Sequence, residues 1–271
     1  MTAPNISNPT HPAAAMNQVR LPRTAALGPG LGGQPRLLID APAGAAEIYL
    51  HGATLTSWVP RGGSEVIFTS RQAVFDGSTA IRGGIPLCLP EFGVGINGDA
   101  VPKHGWARIA PWQLRMVAST DDGGVRALLS VSRDHLTALY EVEIGETLRL
   151  GLSLRNDGNA PRTVEAAAHT YLSVHDVTAS LISGLAGASY SDNLAHSPQE
   201  AHRVQDGDVK ISGPVDRIYD SAEPVAVTDP GHERTIHVDK LNAPSTIVWN
   251  PWSTYSAPLP DMADDEFPTM V

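Results

Sequence analysis

The chain has 271 residues, 42% hydrophobic and 18% charged, which is enough to bury a substantial core without disulfide or metal staples. A formal net charge of -10 argues against nucleic acid as a partner, because binding a phosphate backbone needs a broad basic surface. The single cysteine, Cys88, rules out a disulfide framework; with no membrane-spanning apolar run and no signal-peptide core, a soluble cytoplasmic protein is expected.

Residues 1–34 are rich in Ala, Pro, Gly, Asn and Thr without apolar periodicity and read as a mobile tail. Within them Gly28, Gly30 and Gly33 spell a dinucleotide fingerprint, but no strand precedes it and Pro35 stands where a phosphate-binding helix should begin. Asn5-Ile6-Ser7 is a glycosylation sequon by spelling only. From residue 35 to 271 one domain is expected, because no Pro, Ser or Gly linker divides it, and the protein is expected to be a monomer.

After the tail the dominant signal is period two. Leu148, Leu150, Leu152 and Leu154 alternate with small or polar residues, as a half-buried strand requires. Strand-like runs cover Glu47 to Trp58, Glu65 to Phe68, Trp112 to Ala118, Val125 to Val131, Val142 to Ile144, Thr163 to Val174, Val209 to Ile211, Arg234 to Val238 and Thr246 to Trp249. Turn chemistry at Asp121-Asp122-Gly123-Gly124 and Asn156-Asp157-Gly158-Asn159 separates neighbouring runs. With no long amphipathic helix, the fold class is all-β, a large antiparallel sandwich.

The segment from Ile81 to Trp112 departs from this pattern. Its glycines and prolines specify irregular backbone, and it carries Arg82, Lys103, His104 and Arg108. Arginine offers a planar fork to phosphate or carboxylate, lysine a point charge, and histidine a proton near neutral pH. Composition alone leaves open a solvated loop. His169, among small apolar residues, and Asp216, beside Arg217, are further candidates with equally ordinary readings as a satisfied core histidine and a turn carboxylate. No metal site is expected: His169 and His175, six residues apart on a strand, would stand roughly 20 Å from each other.

Five phrases in order carry a resemblance. They are Leu50-His51-Gly52-Ala53-Thr54-Leu55-Thr56-Ser57-Trp58, Ile81-Arg82-Gly83-Gly84-Ile85-Pro86, Lys103-His104-Gly105-Trp106-Ala107-Arg108, His169-Thr170-Tyr171 and Val248-Trp249-Asn250-Pro251-Trp252. Together they make the chain similar to the glucose-6-phosphate 1-epimerase family, over nearly everything after the tail. The resemblance implies a β-sandwich of the galactose-mutarotase type, no cofactor, and interconversion of the α and β anomers of a hexose 6-phosphate. It implies that Arg82 and Arg108 hold the phosphorylated substrate, that Asp216 binds it, that His104 lines the pocket and that His169 is catalytic. Lys103 stands where some members have glutamine, Trp106 where phenylalanine is common and Glu91 where glutamine is frequent. The family's base, a glutamate shortly after a Met-Val type dipeptide, has no counterpart after Met270-Val271, and Glu266 precedes the dipeptide. Two other functions are weighed beside the mutarotase: a non-catalytic sugar-phosphate binder, favoured by the missing base, and an epimerase of unphosphorylated aldoses, which would give Arg82 and Arg108 no anionic partner.

Overall fold

The structure, a computed structural model, describes residues 19–271; the sequon and the first part of the expected tail lie outside the described residues. Two four-stranded antiparallel meanders enclose the larger core. The first runs through Ala25–Pro29, Pro35–Ala41, Gly44–Tyr49 and Thr54–Pro60. The second runs through Gln113–Ser119, Val125–Arg133, Leu136–Ile144 and Leu148–Asn156. Their inward residues form one cluster, with Leu37, Ile39, Ile48 and Leu55 from the first and Leu129, Tyr140, Val142 and Ile144 from the second. Leu136–Ile144 shows the cause, since alternate residues are buried and those between face outward. Each fully buried Leu or Ile stabilises the sandwich by about 1.5–3 kcal/mol.

The C-terminal half builds a second, smaller core. A three-stranded sheet of Leu181–Ser183, Val225–Asp229 and Arg234–Val238 packs with a four-stranded sheet of His202–Val204, Ser189–Asp192, Val215–Tyr219 and Thr246–Asn250. Leu172 and Ile236 touch both cores. Across the seam, Arg234 donates to the Ser64 hydroxyl, the Glu65 carbonyl and the Ser173 carbonyl, and its Nε lies 3.4 Å from the buried Asp229 carboxylate. Among the described residues no helix is long and apolar enough to cross a membrane.

The fold class is as expected, while several local readings need correction. Residues 25–34 are not tail: Ala25–Pro29 is the edge strand of the first sheet and Leu31–Gly33 forms the turn into Pro35–Ala41. An edge strand with Leu27 half exposed takes its order from its neighbour's backbone, and its Ala, Gly and Pro content conceals it. Glu47 to Trp58 is two strands, because Gly52 and Ala53 turn the chain with φ of 69° and 48°. Asn156–Asn159 ends a strand rather than joining two; the preceding hairpin turns at Asp134 and His135, whose φ of 51° and 60° suit a tight type I′ turn. Thr163 to Val174 holds only the short strand Ala167–Ala168. The rest changes partner every residue or two: Ala167 and Ala168 face Cys88 and Leu87, Leu172 bridges Ile67, and Ser173 bridges Met270.

Candidate active site

These short, changing pairings lie where the two cores meet, and they present most of the chemical side chains. Gly83, at φ 99°, lets the chain press against the segment it bridges: a Cβ there would stand 2.5 Å from the Thr69 Cα. Arg82 is thereby set at the seam. Its Nε donates to Asp261 at 3.1 Å and a terminal nitrogen donates to the Tyr171 hydroxyl at 3.2 Å. Tyr171 is itself buried with Phe68, Met262 and Met270, a third apolar cluster under the site.

The phrase Lys103-His104-Gly105 turns sharply, with His104 and Gly105 both left-handed at φ 67° and 70°. Glycine is required at 105, where a Cβ would fall 2.2 Å from the Leu89 carbonyl oxygen. The turn folds His104 onto Gly93: the His104 amide donates to the Gly93 carbonyl at 2.7 Å, and the Gly93 amide donates to His104 Nδ1 at 3.1 Å. An Nδ1 that accepts a backbone N–H places the ring proton on Nε2 and keeps the imidazole neutral. Burial and then the Arg108 charge push its pKa down to about 3. Cys88, buried, lies 3.6 Å from the same Nδ1, and burial pushes its thiol up to about 11, the behaviour of a small core hydrophobe.

His169 is anchored by its amide to the Pro86 carbonyl at 3.0 Å. Its ring stacks on Tyr171 at 4.7 Å between centroids and meets Trp249 and His104 edge to face at 5.8 and 6.2 Å. Burial, then the charge of Arg82, pushes its pKa down to about 4, with Arg108 adding to the effect. Both guanidiniums therefore act on this imidazole.

Arg108 differs from Arg82 in its partners. One terminal nitrogen donates to the Lys103 carbonyl at 2.8 Å, Nε is buried with no partner, and no carboxylate lies within ion-pair distance among the described residues. Lys103 is exposed beside it. Asp216 reaches the site by register. It stands opposite Trp249 across the antiparallel pair, so both side chains share one face, and Asn193 donates to its Oδ1 at 2.9 Å.

The structure thus brings Arg82, Lys103, His104, Arg108 and His169 into one electrostatic neighbourhood, with Asp216 beside Trp249 on its wall. Reasoning from the sequence did not assign Asp261, Tyr171 or Trp249 to the site. The last two fall inside the quoted phrases; Asp261 is one of several acids near the C-terminus and carries no distinguishing signal. The other acids are placed elsewhere. Glu266 is buried and accepts from the Ser70 hydroxyl, the Arg71 amide and the Ala263 amide, and Glu165 accepts from the Phe92 amide at 3.3 Å. His169 and His175 belong to separate clusters, since the His175 ring packs on His232.

The chain is similar to several known proteins. A plant protein from Cenchrus ciliaris, named "Putative glucose-6-phosphate 1-epimerase", is 32% identical over 244 residues, 83% of this chain and 73% of its own length. One from Escherichia coli with the same name is 30% identical over 245 residues, 87% of this chain and 80% of its own. The crystal structure of a Salmonella typhimurium protein described as a "putative mutarotase" superposes with a TM-score of 0.83 at 28% identity, covering 93% of this chain and 85% of that one. A galactose mutarotase-like protein from Clostridium acetobutylicum shares the fold at a TM-score of 0.68 and 11% identity, covering 91% of this chain and 86% of that one. The profile of the family described as Aldose 1-epimerase matches residues 35–271, and the chain belongs to that family of sugar epimerases.

Proposed function

We propose that this enzyme interconverts the α and β anomers of a hexose 6-phosphate, with glucose 6-phosphate as its substrate. The observation that carries the reading is Arg108, a partly buried guanidinium without a carboxylate partner, standing with Arg82 and Lys103 in a protein of strongly negative net charge. A neutral sugar offers these cations hydroxyl oxygens but no anionic partner, whereas a phosphate offers three acceptor oxygens and a charge of about -1.5 to -2 at neutral pH. The names of the relatives support the same substrate.

Anchored there, the phosphate is a handle remote from the reacting carbon, and its binding energy positions the ring. Anomer exchange breaks the bond between C1 and the ring oxygen. The C1 hydroxyl gives up a proton to a base, the ring oxygen takes one from an acid, and the open chain turns about C1–C2 before closing on the other face. His169 is the acid in this reading. Free of ligand its imidazole is neutral at pH 7, because burial and the two guanidiniums disfavour its charge. A bound phosphate cancels the cationic part of that effect and makes the ring easier to protonate when the substrate arrives. Asp216, with one oxygen held by Asn193, keeps the other for a sugar hydroxyl, and His104 offers a fixed Nε2–H donor. A reducing cytoplasm suits the lone buried thiol and belongs to the same proposal.

The test is Arg108→Ala. Binding of glucose 6-phosphate should weaken by about 1–3 kcal/mol, the range for a hydrogen bond to a charged group, while binding of free glucose stays as it was. Equal losses for both sugars would remove the phosphate from the account.

A further inference from the structure

Arg82 and Arg108 are held differently, and the difference centres on Asp261. Asp261 is 8% exposed and sits beside Met262, which is 1% exposed in the apolar cluster that also holds Tyr171. The loop carrying it is pinned at its far end by Glu266, which joins Ala263 to Ser70 and Arg71. Asp261 is therefore a rigid acceptor. Of the five guanidinium protons of Arg82, it takes the Nε one and Tyr171 takes a terminal one, which leaves three terminal protons for a ligand. Arg82, Lys103 and Arg108 are three cations, and Asp261 is the carboxylate paired within them. Asp261, and not Asp216 on the Trp249 side, is the carboxylate among the leading charges acting on Arg82 and Arg108, so two positive charges remain at the anion site, the complement of a phosphate dianion. His104 and His169 add none at neutral pH.

We propose that Asp261 is a positioning and charge-setting residue of the anion site: through Arg82 it aims the guanidinium at the phosphate and trims the site to the charge of a phosphate monoester dianion. This rests on the phosphate reading above. Asp261 touches the arginine and acts through it.

The experiment titrates inorganic phosphate and glucose 6-phosphate calorimetrically into the full chain carrying Asp261→Asn, Asp261→Ala, Arg82→Ala, or either Asp261 change combined with Arg82→Ala. Asn and Ala give the site the same charge and differ in whether Nε keeps its acceptor. Asp261→Asn should bind phosphate about tenfold more tightly than Asp261→Ala, the scale of one hydrogen bond to a charged group. With Arg82→Ala present, the Asn and Ala forms should bind equally. Against the unaltered chain, Asp261→Asn should bind phosphate more tightly and with a steeper loss in salt, since one more cation is uncompensated. Equal affinities for Asn and Ala while Arg82 is intact, or losses that merely track a fall in melting temperature, would overturn the positioning role. Weaker binding by the Asn form than by the unaltered chain would overturn the charge-setting role. Undiminished phosphate binding by Arg82→Ala would instead fault the anion site itself. Should Asp261→Ala not fold, Asp261→Ser removes the acceptor reach to Nε at the same charge; about tenfold weaker phosphate binding than Asp261→Asn supports the proposal and equal binding overturns it.

Discussion

The imidazoles of His104 and His169 meet edge to face with 6.2 Å between their centroids, although they come from separate segments 65 residues apart. One is locked neutral by a backbone amide on Nδ1, and the other is kept neutral by burial and by two arginines. A lone cation beside them would be repelled by those same arginines, whereas an anion relieves the strain on both rings.

His169 should accordingly titrate near 4 in the free protein and at a clearly higher pH with saturating inorganic phosphate, followed through its ring nitrogens by NMR. The same titration of His104 should move less, because its Nδ1 stays committed to Gly93. A His169 pKa indifferent to phosphate would separate the histidine from the anion site.

The pair also makes stability depend on pH. In the unfolded chain each histidine protonates near 6.5, whereas folded the two resist protonation down to about 3 and 4. The unfolded state therefore binds more protons between those values, so the stabilisation is complete above about pH 6.5 and is lost as pH falls toward 4. Both rings touch solvent, so the combined loss should be about 2–5 kcal/mol. Melting curves at pH 7 and 5 would measure it, and His104→Gln should flatten the difference.

Glu266 should behave as an anchor. Burial would raise its pKa, but hydrogen bonds from the Arg71 amide, the Ser70 hydroxyl and the Ala263 amide outweigh burial and lower it. Glu266→Ala strands those donors and should cost about 2–4 kcal/mol in denaturant unfolding. It should also weaken phosphate binding, because the loop it pins carries Asp261. Wild-type stability would show that the loop is held by other contacts.

The C-terminal residues run antiparallel to the strand of the site: Leu172 and Val271 exchange both backbone hydrogen bonds, and Met270 pairs with Ser173. Residues appended to Val271 in this register would pass Tyr171 and then Thr170, toward His169. A short appended tail supplying glutamate should accelerate anomer exchange by the 271-residue polypeptide about 10²-fold or more over a glutamine tail, the usual contribution of a positioned base. Equal rates for both tails would place the base elsewhere.

Much of this was legible in the sequence where one physical rule acts alone. The hairpin of Gln113–Ser119 and Val125–Arg133 and the strand Leu148–Asn156 follow from alternation and the Asp121–Gly124 turn, because a strand buried on one face must obey period two, whereas the turn at Asp134 and His135 carries no glycine and left most of Leu136–Ile144 unread. The cations of the site were visible because charges among glycines and prolines stand out. The rest depended on long-range pairing. Ala25–Pro29 is a strand by virtue of its neighbour, and the stretch from Ala167 to Ser173 changes partner too often to leave a period. Asp261 was invisible because its partner Arg82 lies 179 residues away. A carboxylate among other carboxylates gives no sign of which one the fold will bury.

Polarimetry of anomer exchange with glucose 6-phosphate and with free glucose, on the same preparation, asks whether the site acts on a phosphorylated sugar. With the phosphate held by Arg82 and Arg108, kcat/KM should be at least about 10²-fold higher for the phosphorylated sugar, as expected from two or more charge-assisted hydrogen bonds spent on positioning, and Arg108→Ala should lose that advantage. Equal rates on both sugars, unaltered by Arg108→Ala, would contradict a phosphate-binding site.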